Sequence, residues 1–256
     1  LGFSKVFKNK YVTFRFDSWS GQHPQGVLLQ NLGNIDDMNI FFEYQLYCRE
    51  LHHSMTRFIN HSKKQNPDKI MDESLEDRRK THHVFSIDPV GCTDIDDAFS
   101  IRFTEKGLYE ISIYIANVYL WMETYQMWDY FSERVATIYL PDKRRSMLPT
   151  LFSENLCSLL EGKDRPAFTM TFIVDTNGSI IEEPKFSNTI INVSKNYSYD
   201  NVINQKDYNI LYEISRKISK DKINDSHELV AYWMIYMNSV SANILYQNKK
   251  GIFRSS

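Results

Sequence analysis

Residues 5–16 mix aromatic and β-branched side chains with partial alternation, and a second apolar run follows at 26–32 after a turn-rich stretch at 17–24. This pattern predicts two strands at the edge of a sheet or barrel. From residue 38 to about 61 the period lengthens: Ile40, Phe41, Tyr44, Leu46, Tyr47, Leu51 and Met55 fall mostly on one stripe, which predicts a helix. Residues 62–80 are polar, alternate in charge and contain Pro67; they read as a connecting segment. Beyond it, strands are predicted at 82–87, 98–103 and 109–118, the last two joined by a tight connection at 104–107, and a helix at 125–137. A strand at 167–174 runs into Asp175-Thr176-Asn177-Gly178, a hairpin signal, and the chain returns at 180–191. Helical patterns at 208–218 and 227–246 follow. No internal repeat is visible, and strands succeeded by helices predict a mixed α+β fold.

Composition narrows the class. Of 256 residues, 42% are hydrophobic and 24% charged, which excludes a wholly disordered chain. No apolar run approaches 18 residues, so no membrane span is expected. Thirty basic and 32 acidic side chains leave a net charge of -2, so any polyanion must be met by a local site instead of a bulk positive field. Cys48, Cys92 and Cys157 lie far apart without metal-type pairing, which speaks against a disulfide framework and a zinc site and for an intracellular setting. The first residue is Leu1, and the chain is expected to be a fragment.

The densest chemistry lies at 87–97, IDPVGCTDIDD, where Asp88, Asp94, Asp96 and Asp97 stand between two strand-like runs. Packed together, these carboxylates would repel and raise one another's pKa unless a cation neutralised them. Charge alone leaves two readings: an acidic turn in solvent, or oxygen ligands for a hard divalent ion. Mg²⁺ takes a few carboxylates together with substrate phosphates, and such ions assist phosphodiester displacement. A calcium loop is disfavoured because its glycine and closing glutamate are missing.

The stretch from Val84 to Ser100, VFSIDPVGCTDIDDAFS, with its spacing D-x5-D-x-D-D, resembles the signature of the ribonuclease II (RNB) exoribonucleases, especially their exosome-subunit branch. The likeness continues in order through YIANV at 114–118, YLPD at 139–142, MLP at 147–149, NLCSL at 155–159, DRPAF at 164–168 and YSY at 197–199. Near the start, Trp19, Pro24-Gln25-Gly26 and Asn31-Leu32-Gly33 resemble the close of a cold-shock barrel. The resemblance implies the end of an oligonucleotide-binding (OB) or cold-shock barrel at 1–37, a helix and linker at 38–80, and the N-terminal half of the catalytic domain at 81–256. The second half of that domain is expected to lie outside this sequence.

By the same resemblance, Asp88 and Asp97 are expected to be magnesium ligands, Asp94 a supporting carboxylate at the metal and catalytic centre, and Asp96 the aspartate whose loss abolishes hydrolysis. The implied reaction removes nucleoside 5′-monophosphates from the 3′ end of single-stranded RNA, with Mg²⁺ as cofactor and an exosome-like complex as partner. Tyr139 and Tyr199 match RNA-contacting positions, where a ring suits stacking on any base. Arg165 could touch a phosphate or brace the fold. Lys143, Arg144 and Arg145 could meet the RNA backbone or form a solvated loop, and His82, His83 and Cys92 are read as structural. Three departures stand out. Ala231 and Tyr232 occupy the place of two consecutive glutamates, one of which favours ribose. Tyr114 and Asn117 replace a histidine and an aspartate. The connection at 221–226 is short. The first of these, with the absent second half of the domain, motivates an alternative: an RNA-binding or scaffold relative impaired in turnover.

Overall fold

The structure is a computed structural model that describes residues 8–52, 55–65, 74–131, 136–220 and 222–253. Pro67, Asp221, much of the expected linker and part of the expected 125–137 helix therefore lie outside the described residues. Backbone contacts divide the chain into two units, one of residues 1–60 and 130–149, the other of residues 61–129 and 150–256.

In the first unit, β1 (Lys10–Ser18) and β2 (Gln25–Asn34) form an antiparallel ribbon. This ribbon is what the described residues hold where the close of a barrel was expected; a barrel is not shown. Tyr11 of β1 stacks on Tyr44 of α1 (Met38–Cys48), with ring centroids 4.2 Å apart. Gly33 makes the approach of helix and ribbon possible: its φ is +136°, and a Cβ there would lie 2.9 Å from Ile40. The helix expected over 38–61 is two helices, α1 and α2 (Thr56–Ser62). After Arg49, Glu50 turns left-handed (φ 58°), and the N–H groups of Glu50 and Leu51 return to the carbonyls of Tyr47 and Leu46. This paired closure ends a helix, and a glutamate in the position that glycine usually takes gives no sequence signal for it.

The second unit is built on one mixed sheet. Its strands are β3 (Glu76–Asp77), β4 (Val84–Asp88), β5 (Asp97–Phe103), β6 (Tyr109–Ala116), β9 (Asp164–Val174) and β10 (Ile180–Ser198); β7 (Ile138–Tyr139) and β8 (Arg144–Arg145) are a small ribbon of the first unit. The order β3-β10-β4-β5-β6-β9 carries an additional β10–β9 pairing. β10 pairs along 193–198 with β4 and along 180–192 with β9, so this 19-residue strand joins both ends of the β4-β5-β6-β9 ladder and the sheet closes on itself.

Alternation sorts the side chains onto two faces. On one, Phe85, Ile87, Phe99, Ile101, Ile113 and Phe172 pack against α4 (Lys206–Ser219) and α5 (Ser226–Gln247), chiefly on Leu211, Ile214 and Trp233. The other carries Val84, Ala98, Tyr114, Ala167, Ile191 and Val193 among buried Ser86, Ser100, Ser112, Thr169 and Thr189. These hydroxyls are paired, as Ser100 with the Tyr114 hydroxyl at 2.8 Å and Ser112 with the Arg78 guanidinium at 2.9 Å. Tyr114, a departure from the expected histidine, is thus a core side chain.

The strand expected over 109–118 ends at Ala116. Asn117 caps a helix there, its side chain accepting from the Leu120 N–H, and α3 runs over Val118–Thr124. The helix expected at 125–137 is therefore displaced toward the N-terminus, followed by a 3-10 turn at Trp128–Tyr130. The apolar run through Val118 hid the boundary, because residues on both sides of Asn117 are hydrophobic.

Candidate active site

Asp88 ends β4 and Asp97 begins β5, so the residues between them form a loop at one end of the closed sheet. Its first bend is Pro89–Cys92, closed by the Cys92 N–H to the Pro89 carbonyl at 3.1 Å, with Gly91 at φ +77°. A positive φ at this third position of the turn suits glycine. The far half is clamped by the segment after the π-helical turn Phe152–Leu156. Ser158 Oγ accepts from the Ile95 N–H (3.0 Å) and donates to the Thr93 carbonyl (2.9 Å), while the Leu159 N–H donates to the Ile95 carbonyl. The Asp96 carbonyl accepts from Ala116.

Arg165 secures the clamp in turn. It is 9% exposed, and its guanidinium donates to the carbonyls of Ser158, Asp164 and Asn155. Of the two roles expected for it, bracing describes this arrangement.

The carboxylates feel one another. Burial holds Asp97 at a pKa of about 7, with the charges of Asp88 and Asp96 adding to the rise. Burial also raises Asp88 against the opposing Ser86 hydroxyl, 2.6 Å away. Asp96 faces solvent more than its neighbours, yet lost hydration and then Asp94 and Asp88 push it up. Among the described residues no basic side chain offsets the repulsion on Asp88, Asp96 or Asp97. Asp97 Oδ2 is shut from solvent and has no hydrogen-bond partner among the described residues. An orphaned carboxylate oxygen in an uncompensated negative cluster fits a hard divalent cation. Among the described residues no three metal-ligating side chains are gathered to grip one ion.

Tyr199 lies beside this cluster. Its backbone N–H donates to the Asp88 carbonyl at 3.1 Å, and its ring stacks on His227 with centroids 3.8 Å apart and planes 11° apart. Burial, then the Asp97 and Asp88 charges, push its phenol up to about 12. A pocket of about 330 Å³ beside Asp88 is lined by Val90, Cys92, Ile95, Asn196, Tyr197 and Asn201. A larger one of about 560 Å³ lies at the other end of β5 and β6 and touches none of the candidate residues.

Tyr139, in β7 of the first unit, is 75% exposed. The neighbouring basic run is not simply a solvated loop: Arg145 is buried and paired with Asp142 and Glu43 at 2.7 Å each. His82 and His83 meet Glu110 and Asp207 as structural partners. On α5, Ala231 is exposed and Tyr232 packs edge-on against Trp233. The spacing of the aspartates could not show Asn196, Ser158 or His227, since each reaches the site across a long sequence separation.

A family model described as the RNB domain matches residues 75–209. The chain belongs to the RNB-domain family. Asp88, Asp94, Asp96, Asp97, Tyr139, Arg165 and Tyr199 lie inside the matched span, whereas Ala231 and Tyr232 lie beyond it. Over 202 residues this RNB chain is 30% identical to the mouse Exosome complex exonuclease RRP44, an alignment covering 77% of this chain and 21% of that protein. The chain spans about a fifth of the length of the curated relatives it matches. Its fold superposes with a TM-score of 0.72 on Mycoplasma genitalium RNase R in complex with double-stranded RNA, at 18% identity over 97% of this chain and 52% of that one. Yeast Ssd1, described as a pseudonuclease, matches with a TM-score of 0.55 at 19% identity over 84% of this chain and 29% of that one. Both likenesses bear on the RNB fold alone. No helix among the described residues is long and apolar enough to cross a membrane.

Proposed function

We propose that this RNB chain carries the carboxylate centre of an exoribonuclease that removes nucleoside 5′-monophosphates one at a time from the 3′ end of single-stranded RNA. The observation that carries the reading is the uncompensated cluster of Asp88, Asp96 and Asp97 with the orphaned Asp97 Oδ2. Asp88 and Asp97, supported by Asp94, would hold Mg²⁺, which when bound would neutralise the phosphate and favour ionisation of the attacking water. Asp96 is the more open member, accessible to an incoming phosphodiester and its water. Water oxygen bonds to phosphorus, the 3′ oxygen of the preceding nucleotide leaves and takes a proton, and the terminal nucleotide departs with its 5′ phosphate. Tyr199, partly buried, with its ring stacked on His227 beside the carboxylates, is assigned to meeting a base or ribose. Tyr139 offers an exposed ring for the same chemistry. Arg165, occupied with backbone carbonyls, is assigned to bracing. The mouse relative is named as part of an exosome complex, and association with an intracellular complex of that kind belongs to the same proposal.

A second reading has its own support. Ala231 and Tyr232 replace the expected glutamates, and a pseudonuclease shares the fold, which suits an RNA-binding relative without turnover. The test incubates the full-length protein containing this chain with 3′- and 5′-labelled single-stranded RNA, in Mg²⁺ or chelator, beside Asp96→Asn. Mononucleotides released by the wild type in Mg²⁺ alone, and not by the variant, support hydrolysis. RNA retention without release in both supports the second reading. Equal, metal-independent decay in both overturns the first.

A further inference from the structure

β4 and β10 run parallel, with Ser86 opposite Asn196 and Asp88 opposite Ser198. Upstream the pairing slips: Val193 faces Val84, but the next residue of β4, Phe85, faces Lys195. Ser194 is therefore an extra residue. Because side chains alternate along a strand, this bulge changes the phase of β10 and puts Asn196, instead of Lys195, on the face that carries Val84, Ser86 and Asp88.

There Asn196 is fully engaged. Its Nδ2 donates to Ser86 Oγ at 2.8 Å and to the Leu159 carbonyl at 3.0 Å, and its Oδ1 accepts from the Glu161 N–H at 2.7 Å. Turning the amide over would set NH₂ against an N–H and oxygen against a carbonyl, so the network fixes its sense. Ser86 is fully buried and owns a single hydroxyl hydrogen. Since Asn196 donates to the Ser86 oxygen, that hydrogen is directed to Asp88 Oδ2 at 2.6 Å.

We propose that Asn196 and Ser86 are positioning residues for Asp88: the relay from amide to hydroxyl to carboxylate fixes the rotation of the Asp88 side chain and thereby sets how tightly the site takes a divalent cation. The proposal rests on the reading of Asp88 as an ion ligand. Partners of this kind behind a metal ligand are worth 10–100-fold in affinity.

The experiment titrates Mg²⁺ alone into the full-length protein by calorimetry, with unfolding midpoints measured in chelator. Ser86→Ala should weaken binding about tenfold or more. Ser86→Thr, which keeps the hydroxyl, should restore most of it. Asn196→Asp should also weaken binding although its volume is unchanged, because a carboxylate cannot donate to Ser86 and instead draws the hydroxyl hydrogen away from Asp88. Wild-type affinity in both Ser86→Ala and Asn196→Asp would overturn the relay alone. A wild type that binds no Mg²⁺ would overturn the ion-site reading and the relay with it.

Discussion

Ser158→Ala isolates the clamp on the acidic loop. The hydroxyl serves two backbone groups, the Ile95 N–H and the Thr93 carbonyl. Thr93 is exposed, so its carbonyl can turn to water at little cost. Ile95 is only 3% exposed, and its N–H would be left buried without an acceptor, at about 1–3 kcal/mol. For a unit of this size each kcal/mol moves the unfolding midpoint by roughly 2–4 °C, so a fall of about 2–12 °C is expected. Ser153 in the π-helical turn supplies the control. Its hydroxyl is buried without a partner among the described residues, so Ser153→Ala should be neutral or mildly stabilising. Urea unfolding of the wild type and both variants measures the difference. RNA hydrolysis well below the midpoint should also decline in Ser158→Ala, because the loop bearing Asp94 and Asp96 has lost one tie. If Ser158→Ala unfolds within about 0.5 kcal/mol of Ser153→Ala, the clamp is not formed as described.

Two further outcomes concern the scaffold. The His82 hydrogen bond and then the Arg102 fork hold Glu110 at a pKa of about 2, against an ordinary 4.5. Its stabilisation is therefore present above about pH 5 and lost as pH falls toward 2. It amounts to at most about 3 kcal/mol for a side chain 14% exposed. Urea unfolding should show Glu110→Gln weaker than wild type at pH 6 and converging with it near pH 2; a gap independent of pH would refute the assignment. Asn117→Ala removes the α3 cap and the bond to Asn188. It should lower stability by about 1–2 kcal/mol, with Asn117→Asp recovering the cap but not the Asn188 bond, as read by thermal unfolding.

Much of the second unit was legible because its strands bury one apolar face. The alternation of Phe85 and Ile87, or of Ile111 and Ile113, is a local property of the sequence and survives into the sheet. The gathering of Asp88, Asp96 and Asp97 followed from their spacing between two strands. What escaped is of two kinds. Some boundaries lacked the usual residue: Glu50 takes a left-handed turn without being glycine, and Asn117 caps a helix inside an unbroken apolar run. Other features depend on partners far along the chain. Nothing near Ile95 points to Ser158, and nothing near Asp88 announces that an extra residue at 194 aims Asn196 at the Ser86 behind it.

The closure of the sheet by β10 has a consequence for how the protein is made. The ribosome delivers the aspartate motif early, but Ser86 waits for a partner 110 residues downstream, and Asp88 for the Tyr199 N–H. A nascent chain stalled before β10 would display the acidic signature with the seat of its first aspartate unbuilt. Synthesis through residue 199 is thus the earliest moment at which this centre can assemble, and shortened products ending before it would carry the motif without the site.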